Sequence, residues 1–209
     1  MISFRFFGEV SYARGLELQA EAFTRGGGEI IGLTHQPVMT LGRHGHDQNL
    51  LLSRALLEAR GVQVVQTDRG GDVTYHGPEQ VIVYPILALA SARQTVKSFA
   101  ALIEQAMIGY LQTLGIEART EAGAPGIFVG PKKIGFLGLR VKEGISTHGL
   151  SLNLGGSLEP FSWMNPCGYA SLPVTSIEQL GHVPPSHEAA ARGLAHQLIR
   201  LLQDAALST

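Results

Sequence analysis

The residue of this sequence best suited to nucleophilic chemistry is its single cysteine, Cys167. It lies in Asn165-Pro166-Cys167-Gly168, where proline and glycine predict a turn that would present a thiol. The thiolate is the reactive form, and because a free cysteine has a pKa of about 8.5, a nearby cation must lower that pKa. A lone cysteine is also commonly a small buried hydrophobe, so the residue alone leaves both interpretations open.

Lys133 is the candidate for that cation. It opens the apolar run 133–141, which predicts a strand. A partly desolvated ammonium in that position would lower the pKa of a neighbouring thiol. An exposed lysine that protects a strand edge fits the sequence equally well. For the adjacent Lys132 we favour the edge role.

A second candidate site is a polar, glycine-rich run between two apolar strand candidates. Glycines let main-chain N–H groups approach a ligand, and the polar side chains could bind a polar head group. Its residues are Arg69, Gly70, Gly71, Asp72, Val73, Thr74, Tyr75 and His76. The run is not a phosphate loop, because the terminal Gly-Lys-Ser/Thr is missing. The alternative interpretation is a tight loop between strands, with Arg69 in a surface ion pair.

A histidine lies in the last predicted strand. Strict alternation places His148 on one face with Leu150, Leu152 and Leu154, which is more typical of a buried core residue than of a catalyst. Gly149 would allow a close approach of the backbone. No histidines show the spacing of metal ligands, so the sequence predicts no metal site.

Strands and helices alternate irregularly along the chain. Apolar patterning predicts strands at 2–7, 29–34, 38–41, 62–67, 80–86, 133–141 and 146–154. It predicts helices at 11–25, 50–60, 96–114 and 187–206, the last with Ser186 as its N-cap. A hairpin joins 133–141 to 146–154. The pattern favours an α+β fold with a mixed sheet over a strictly alternating parallel fold.

Length and composition predict one globular domain over residues 1–209. The 209 residues are 44% hydrophobic and 16% charged, which excludes a disordered chain. The formal net charge of −1 argues against a nucleic-acid or membrane-surface partner. One cysteine excludes an internal disulfide framework and a multi-cysteine zinc site. No apolar stretch of about 18 residues and no secretory signal is evident, so we expect a soluble, intracellular protein.

Taken together, these segments resemble the lipoyl/octanoyl transferase family, also called lipoate-protein ligase B or octanoyl-[acyl-carrier-protein]:protein N-octanoyltransferase. The resemblance runs in one order through 34–43, 69–80, 133–153 and 165–168, and so covers most of the chain. The sequence departs from the family at Glu79, where glycine is usual. It departs again at Gly135-Phe136, where small residues are common, which bears on the shape of an acyl pocket.

The resemblance implies a mixed, largely antiparallel sheet flanked by helices, similar to the catalytic domain of biotin and lipoate protein ligases. It implies a cytoplasmic acyltransferase that needs no cofactor and performs the first step of endogenous protein lipoylation. An octanoyl (or lipoyl) group would be transferred from acyl carrier protein, with octanoyl-acyl carrier protein as the partner. The acceptors would be lysines of the lipoyl domains of 2-oxoacid dehydrogenase complexes and of the glycine cleavage H protein.

The resemblance also implies roles for particular residues. Cys167 would carry the acyl thioester and Lys133 would lower its pKa. The substrate-binding residues would be those of the glycine-rich run, Arg69 to His76, together with Phe136, Leu137, Gly138, Gly149, Leu150 and Ser151. Burial of a seven-carbon tail against Phe136, Leu137 and Leu150 would contribute roughly 5 kcal/mol before ordering costs. We expect an acidic carrier protein to contact a basic patch formed by Arg43, Lys132, Arg140 and Lys142.

Two other functions remain in view. The first is an ATP-dependent lipoate- or biotin-type protein ligase, which shares the glycine-rich segment but needs no cysteine nucleophile. The second is a non-catalytic acyl-binding module. The order of Lys133 and Pro166-Cys167-Gly168 favours the transferase.

Overall fold

The computed structural model describes residues 2–165 and 173–207. The predicted turn around Cys167 therefore lies outside the described residues. The fold is α+β, as predicted, with a mixed seven-stranded sheet and a separate three-stranded sheet. Among the described residues, no helix is both long and apolar enough to cross a membrane.

The large sheet is parallel at one edge and antiparallel elsewhere. Its strands, in spatial order, are β1 (Ser3–Val10), β2 (Glu29–His35), β6 (Gln80–Ile86), β10 (Ile145–Asn153), β9 (Lys132–Lys142), β8 (Ala124–Val129) and β7 (Arg119–Glu121). Only β1 and β2 pair in parallel. The predicted hairpin is present: β9 and β10 are joined by Glu143 and Gly144, with φ of 51° and 76°, as a type I′ turn requires.

The small sheet carries the glycine-rich run. In it β3 (Val38–Leu41) pairs in parallel with β4 (Gln63–Gln66) and antiparallel with β5 (Val73–His76). The run was expected to be a loop between strands, and its second half is instead a buried strand. Pairing of β5 with β3, about 35 residues away, stabilises a segment whose local composition favours a loop.

Four helices pack against the sheets: α1 (Tyr12–Thr24), α2 (Arg54–Ala59), α3 (Val96–Thr113) and α4 (His187–Leu207). The Oγ of Ser186 accepts a hydrogen bond from Ala189 N at 3.3 Å, as predicted for the N-cap of α4. The helix predicted at 50–60 is shorter than expected. The side chain of Ser53 accepts from Leu56 N and so caps α2 only at that point.

The two faces of the large sheet have different partners. Leu150 and Leu137 belong to the core that α3 and α4 cover. Ile82, Ser151 and Phe136 are aligned across neighbouring strands and point to the opposite face. Ile82 packs with α1 there, and Phe136 packs against the core of the small sheet. The space between this face and the small sheet holds the candidate site.

Candidate active site

A cavity of about 170 Å³ lies where the two sheets meet. Its lining contains every described residue of the predicted site except Gly70 and Tyr75. Sequence analysis did not assign the remaining lining residues to the site: Tyr12, Tyr84, Pro125, His148, Phe161, Met164 and Val174. Met164 and Val174 flank the segment that carries Cys167 in the sequence. Their closeness to that cysteine along the chain could have assigned them to the site.

Gly70 and Tyr75 do not line the cavity but support the residues around it. Gly70 N donates to Leu139 O at 2.9 Å and so ties the glycine-rich run to β9. The ring of Tyr75 lies edge-on to Phe161, with ring centroids 5.8 Å apart, inside the core of the small sheet. Phe161 also stacks on Phe136 with centroids 5.1 Å apart. Leu137 and Leu150 line the cavity although their side chains pack towards α3 and α4.

Arg69 is buried and binds the backbone of its own loop. Its guanidinium donates to both oxygens of Thr40, the carbonyl at 2.6 Å and Oγ1 at 3.0 Å. It also donates to Gly70 O at 3.0 Å and Asp72 O at 2.6 Å. Burial lowers the pKa of Arg69. The alternative of a surface ion pair is therefore wrong, and the chief task of this side chain is to hold the glycine-rich run in shape.

Buried histidines and tyrosines surround the cavity. His35 Nδ1 donates to Val10 O, so its Nε2 accepts from the Tyr84 hydroxyl at 2.8 Å. Burial lowers the pKa of His35 to about 4 and that of His76 to about 3. The same burial raises the pKa of Tyr84 well above its usual value. These side chains are neutral at pH 7 and can act there as hydrogen-bonding groups.

His148 does not lie with the leucines of its strand. Its φ of 57° turns it out of the alternation expected for β10, at a cost of about 1–2 kcal/mol for a non-glycine residue. Its Nε2 instead donates to Asp68 Oδ1 at 2.8 Å, and its ring lies edge-on to Tyr84. Burial lowers the pKa of His148 to about 4. The positive charges of Arg69 and Arg140 lower this pKa further, and the half-exposed, screened Asp68 carboxylate does not offset them.

The three buried histidines make folding stability depend on pH. Their folded-state pKa values lie below the unfolded value of about 6.5, so the unfolded chain binds more protons below that pH. We expect the free energy of unfolding in urea to be nearly constant between about pH 7 and 8 and to fall as the pH is lowered from 6.5 towards 4. Each histidine contributes up to about 1.4 kcal/mol per pH unit. His35→Gln should lower the slope by about one proton, whereas exposed His196→Gln should not. A flat profile from pH 7 to 5 would contradict neutral burial.

A chain of hydrogen bonds runs from the cavity to residue 175. Gln80 Nε2 donates to Tyr75 O and to Asn153 Oδ1, which leaves Gln80 Oε1 to accept from His76 Nδ1 at 3.0 Å. Asn153 Nδ2 donates in turn to Thr175 O at 2.9 Å. The network fixes the Nδ1–H tautomer of His76. It also connects His76 to the first residues described after position 172.

Lys133 lines the cavity and is half-buried. Its Nζ donates to Pro125 O at 2.6 Å, and it lies 5.1 Å from the ring centroid of Phe136 and 5.5 Å from that of Phe128. Its strand, β9, lies between β10 and β8, so the alternative of a lysine on an edge strand is wrong. The neighbouring Lys132 is exposed, as expected, but it belongs to the same internal strand, so the edge role favoured for it is wrong as well.

Both ends of the segment 166–172 are held at this cavity. Asn165 N donates to Asn49 O at 2.8 Å, and Asn49 Nδ2 contacts both carboxylate oxygens of Asp72 at 2.7 Å. At the other end, Lys133 N donates to Pro173 O at 2.8 Å and Thr175 N donates to Lys133 O at 2.9 Å. The glycine-rich run and Lys133 therefore each anchor one end of the cysteine-bearing segment.

Two hydroxyl groups in the lining have no hydrogen-bond partner among the described residues. They are Thr74 Oγ1 and Ser151 Oγ, and both are buried. Buried polar atoms are nearly always paired, so such atoms in a cavity are available for a polar ligand. Within the described ranges, no three histidine, cysteine, aspartate or glutamate side chains are grouped as metal ligands would be.

The four basic residues expected to form one patch are spread out. Lys132 and Lys142 stand at opposite ends of β9, about 33 Å apart at the usual rise of a strand. Arg140 forms an ion pair with Asp68. All four residues therefore do not form one compact patch, because a single long strand carries three of them. Contact of a carrier protein with a patch drawn from some of them stays a prediction.

Comparison with known proteins identifies close relatives over most of the chain. The lipoyl protein ligase A/B catalytic domain matches residues 12–199. A protein of Laribacter hongkongensis named octanoyltransferase is 43% identical over 187 residues, covering 88% of this chain and 87% of the relative. A second octanoyltransferase, from an Azoarcus species, is 41% identical over 200 residues, covering 93% and 85%.

Solved structures with low sequence identity share the fold. A lipoate-protein ligase A bound with ATP superposes with a TM-score of 0.76 at 17% identity, covering 94% of this chain and 86% of that chain. A bi-partite lipoate protein ligase of Thermoplasma acidophilum gives 0.74 at 14% identity, with 97% and 85% covered. Biotin protein ligase from Aquifex aeolicus gives 0.57 at 8% identity, with 97% and 69% covered. The predicted likeness to this group of folds is confirmed.

Proposed function

Because the chain belongs to the octanoyltransferase family, whose catalytic domain is that of lipoyl protein ligases A and B, we propose that it transfers an octanoyl group through a thioester on Cys167. The donor is octanoyl-acyl carrier protein, and the acceptor is a specific lysine of a lipoyl domain. Residues 1–209 act as a single catalytic domain. The observation that carries the proposal is that Lys133, the glycine-rich run and the residues on either side of the cysteine-bearing segment, Met164 and Val174, line one cavity.

Sequence position supports the assignment of Cys167. It lies between Met164 and Val174 in the sequence, and both of these residues line the cavity. Lys133 is the cation that favours its thiolate.

The reaction proceeds in two acyl transfers. The Cys167 thiolate attacks the thioester carbonyl of the donor, a new S–C bond forms, and the S–C bond to the carrier breaks. The carrier leaves as a thiolate and takes a proton from the Lys133 ammonium, so that this lysine becomes neutral. The amine of the acceptor lysine then attacks the acyl-enzyme, a C–N bond forms, and the bond to Cys167 breaks. The amine loses a proton, which Lys133 can accept in its neutral form. Exchange of thioesters costs little and amide formation is downhill, so neither ATP nor a cofactor is needed.

The hydroxyls of Thr74 and Ser151 are suited to the oxygen of the substrate. Each acyl transfer passes through a tetrahedral oxyanion, which preorganised donors stabilise more than they stabilise the ground-state carbonyl. The two hydroxyls are buried in the cavity wall and lack protein partners among the described residues. Substrate oxygen would satisfy them.

The stacked pair of Phe136 and Phe161 limits the length of the acyl chain. Phe136→Ala removes one ring of the wall, so decanoyl transfer should gain about tenfold relative to octanoyl transfer, since two further methylenes become buried at ~0.8 kcal/mol each. The measurement is kcat/KM with both acyl-carrier proteins. Leu139→Ala, on the same strand but on the opposite face of the sheet, is the control and should keep the wild-type ratio. An unchanged ratio in Phe136→Ala would place the end of the acyl chain elsewhere.

Intact mass spectrometry tests the function. Octanoyl-acyl carrier protein without ATP should add one octanoyl group to Cys167 and, after a lipoyl domain is supplied, one octanoyl group to its lysine. Transfer that requires free octanoate and ATP would instead indicate a ligase. Binding of the donor without any adduct or transfer would indicate a non-catalytic module.

A further inference from the structure

One peptide group connects Lys133 to an acidic residue outside the cavity lining. Lys133 Nζ donates to Pro125 O at 2.6 Å. The next main-chain nitrogen, Gly126 N, donates to Glu104 Oε1 at 2.7 Å. The carbonyl of Pro125 and the N–H of Gly126 belong to the same peptide group, so its two polar ends are bound by a cation and a carboxylate.

We propose that Glu104, on α3, is a positioning residue for Lys133 and acts through the Pro125–Gly126 peptide group. This inference rests on the proposed function of Lys133. Glu104 lies outside the residues that line the cavity, so its effect on the reaction is indirect. No part of the argument requires contact between Glu104 and substrate.

The carboxylate has two effects on this peptide group. A charge-assisted hydrogen bond to the N–H holds the plane of the peptide, and therefore the direction of the Pro125 carbonyl. It also polarises the group, because hydrogen bonds in series strengthen one another, and the carbonyl oxygen becomes a better acceptor for an ammonium. Glu104 thereby holds the Lys133 ammonium in place and favours its charged form.

The backbone at Gly126 is shaped for this arrangement. Its φ is 112°, a conformation that side-chain-bearing residues rarely adopt. A Cβ at this position would lie 2.4 Å from Gly135 O and 2.8 Å from Lys133 Cε. Only glycine allows the peptide to turn its N–H towards α3 while the lysine side chain passes alongside. Ile103 and Met107, on either side of Glu104, are fully buried and hold the helix against the sheet.

The competing explanation is that Glu104 merely satisfies a main-chain N–H. Glu104→Gln distinguishes a role of the carboxylate charge from simple hydrogen bonding, because the amide oxygen can still accept from Gly126 N but carries no charge. Glu104→Met removes both the acceptor and the charge. Exposed Glu117→Gln, just beyond the end of α3, is the matched control for loss of one negative charge.

The direct readout is the titration of Lys133 by NMR of ¹³C-labelled lysine, with its signal assigned by its absence in Lys133→Met. Charges about 8 Å apart at an effective dielectric near 20 should shift that midpoint by about one and a half pH units. We expect Glu104→Gln to lower it by this amount, Glu104→Met to lower it at least as far, and Glu117→Gln to leave it unchanged. Both Glu104 variants should also lower kcat about tenfold with little change in KM.

The outcomes separate this inference from the proposed function. An unshifted Lys133 midpoint in both Glu104 variants, with wild-type melting temperatures, would overturn the role of Glu104. Rescue of the midpoint and of kcat in Glu104→Gln would also overturn it in favour of simple N–H satisfaction. A shifted midpoint combined with wild-type transfer by Lys133→Met would uphold the link to Glu104 and reject the proposed role of the lysine.

Discussion

Cys167→Ser is expected to abolish octanoyl transfer while leaving the fold intact. The change replaces one sulfur atom by a smaller oxygen atom, which removes little volume, but a serine hydroxyl is not ionised near pH 7. Loss of a covalent nucleophile lowers kcat by on the order of a thousandfold or more. The measurements are the rate of transfer to a lipoyl domain and the intact mass of the enzyme after exposure to octanoyl-acyl carrier protein.

Cys167→Ala is the matched control for the serine variant. Both variants should show the same residual rate, no octanoyl adduct and a melting temperature within a few degrees of the wild type. Transfer at near wild-type rate by either variant would eliminate covalent catalysis through this residue. The donor would then have to pass its acyl group directly to the acceptor lysine.

Different substitutions of Lys133 should affect the two acyl transfers to different extents. An ammonium about 4 Å from a thiolate attracts it by roughly 4 kcal/mol at a dielectric near 20, and desolvation offsets part of this. A net lowering of the thiol pKa by about one or two units follows. Lys133→Ala should therefore raise the pH midpoint of Cys167 alkylation by iodoacetamide by that amount and impair both acyl transfers.

Lys133→Arg should retain formation of the acyl-enzyme and lose transfer to the lipoyl domain. Arginine keeps the positive charge but cannot accept a proton from the attacking amine, because it stays protonated. The alkylation midpoint of this variant should stay near the wild-type value while octanoyl-enzyme accumulates in the mass spectrum. Exposed Lys132→Ala should behave as wild type. If the wild type, Lys133→Ala and Lys133→Arg share one midpoint near pH 8.5, the lysine does not tune the thiol.

The long, strongly patterned elements could be predicted from the sequence. The spacing of apolar residues along α3 and the hairpin of β9 and β10 depend on local rules, and the structure follows them closely. Strand β5 could not be found in this way. Its partner β3 is distant along the chain, and the adjoining glycines mark the whole segment as loop. The short strands β7 and β8 carry too few patterned residues to stand out.

The chemistry of the site could be predicted only in part. Lys133 and the glycine-rich run stood out because unusual residue types interrupt apolar strands. The position of His148 did not follow from alternation, since a positive φ in a non-glycine residue has no sequence signature. Tyr12, Tyr84 and Glu104 come from three other elements and meet the site only through tertiary packing.

The main chain and the side chain of residue 133 make different interactions. The N–H and carbonyl of this residue bind Pro173 and Thr175, and the side chain reaches into the cavity. Every amino acid except proline can form those two main-chain bonds. In a saturation library at this position, almost every variant would therefore keep the two main-chain hydrogen bonds. Differences in transfer rate among these variants would then reflect the chemistry of the side chain, with little effect of folding. Proline alone should lose the bond from its nitrogen to Pro173 O, because it has no N–H, and so serves as the control for loss of this anchor.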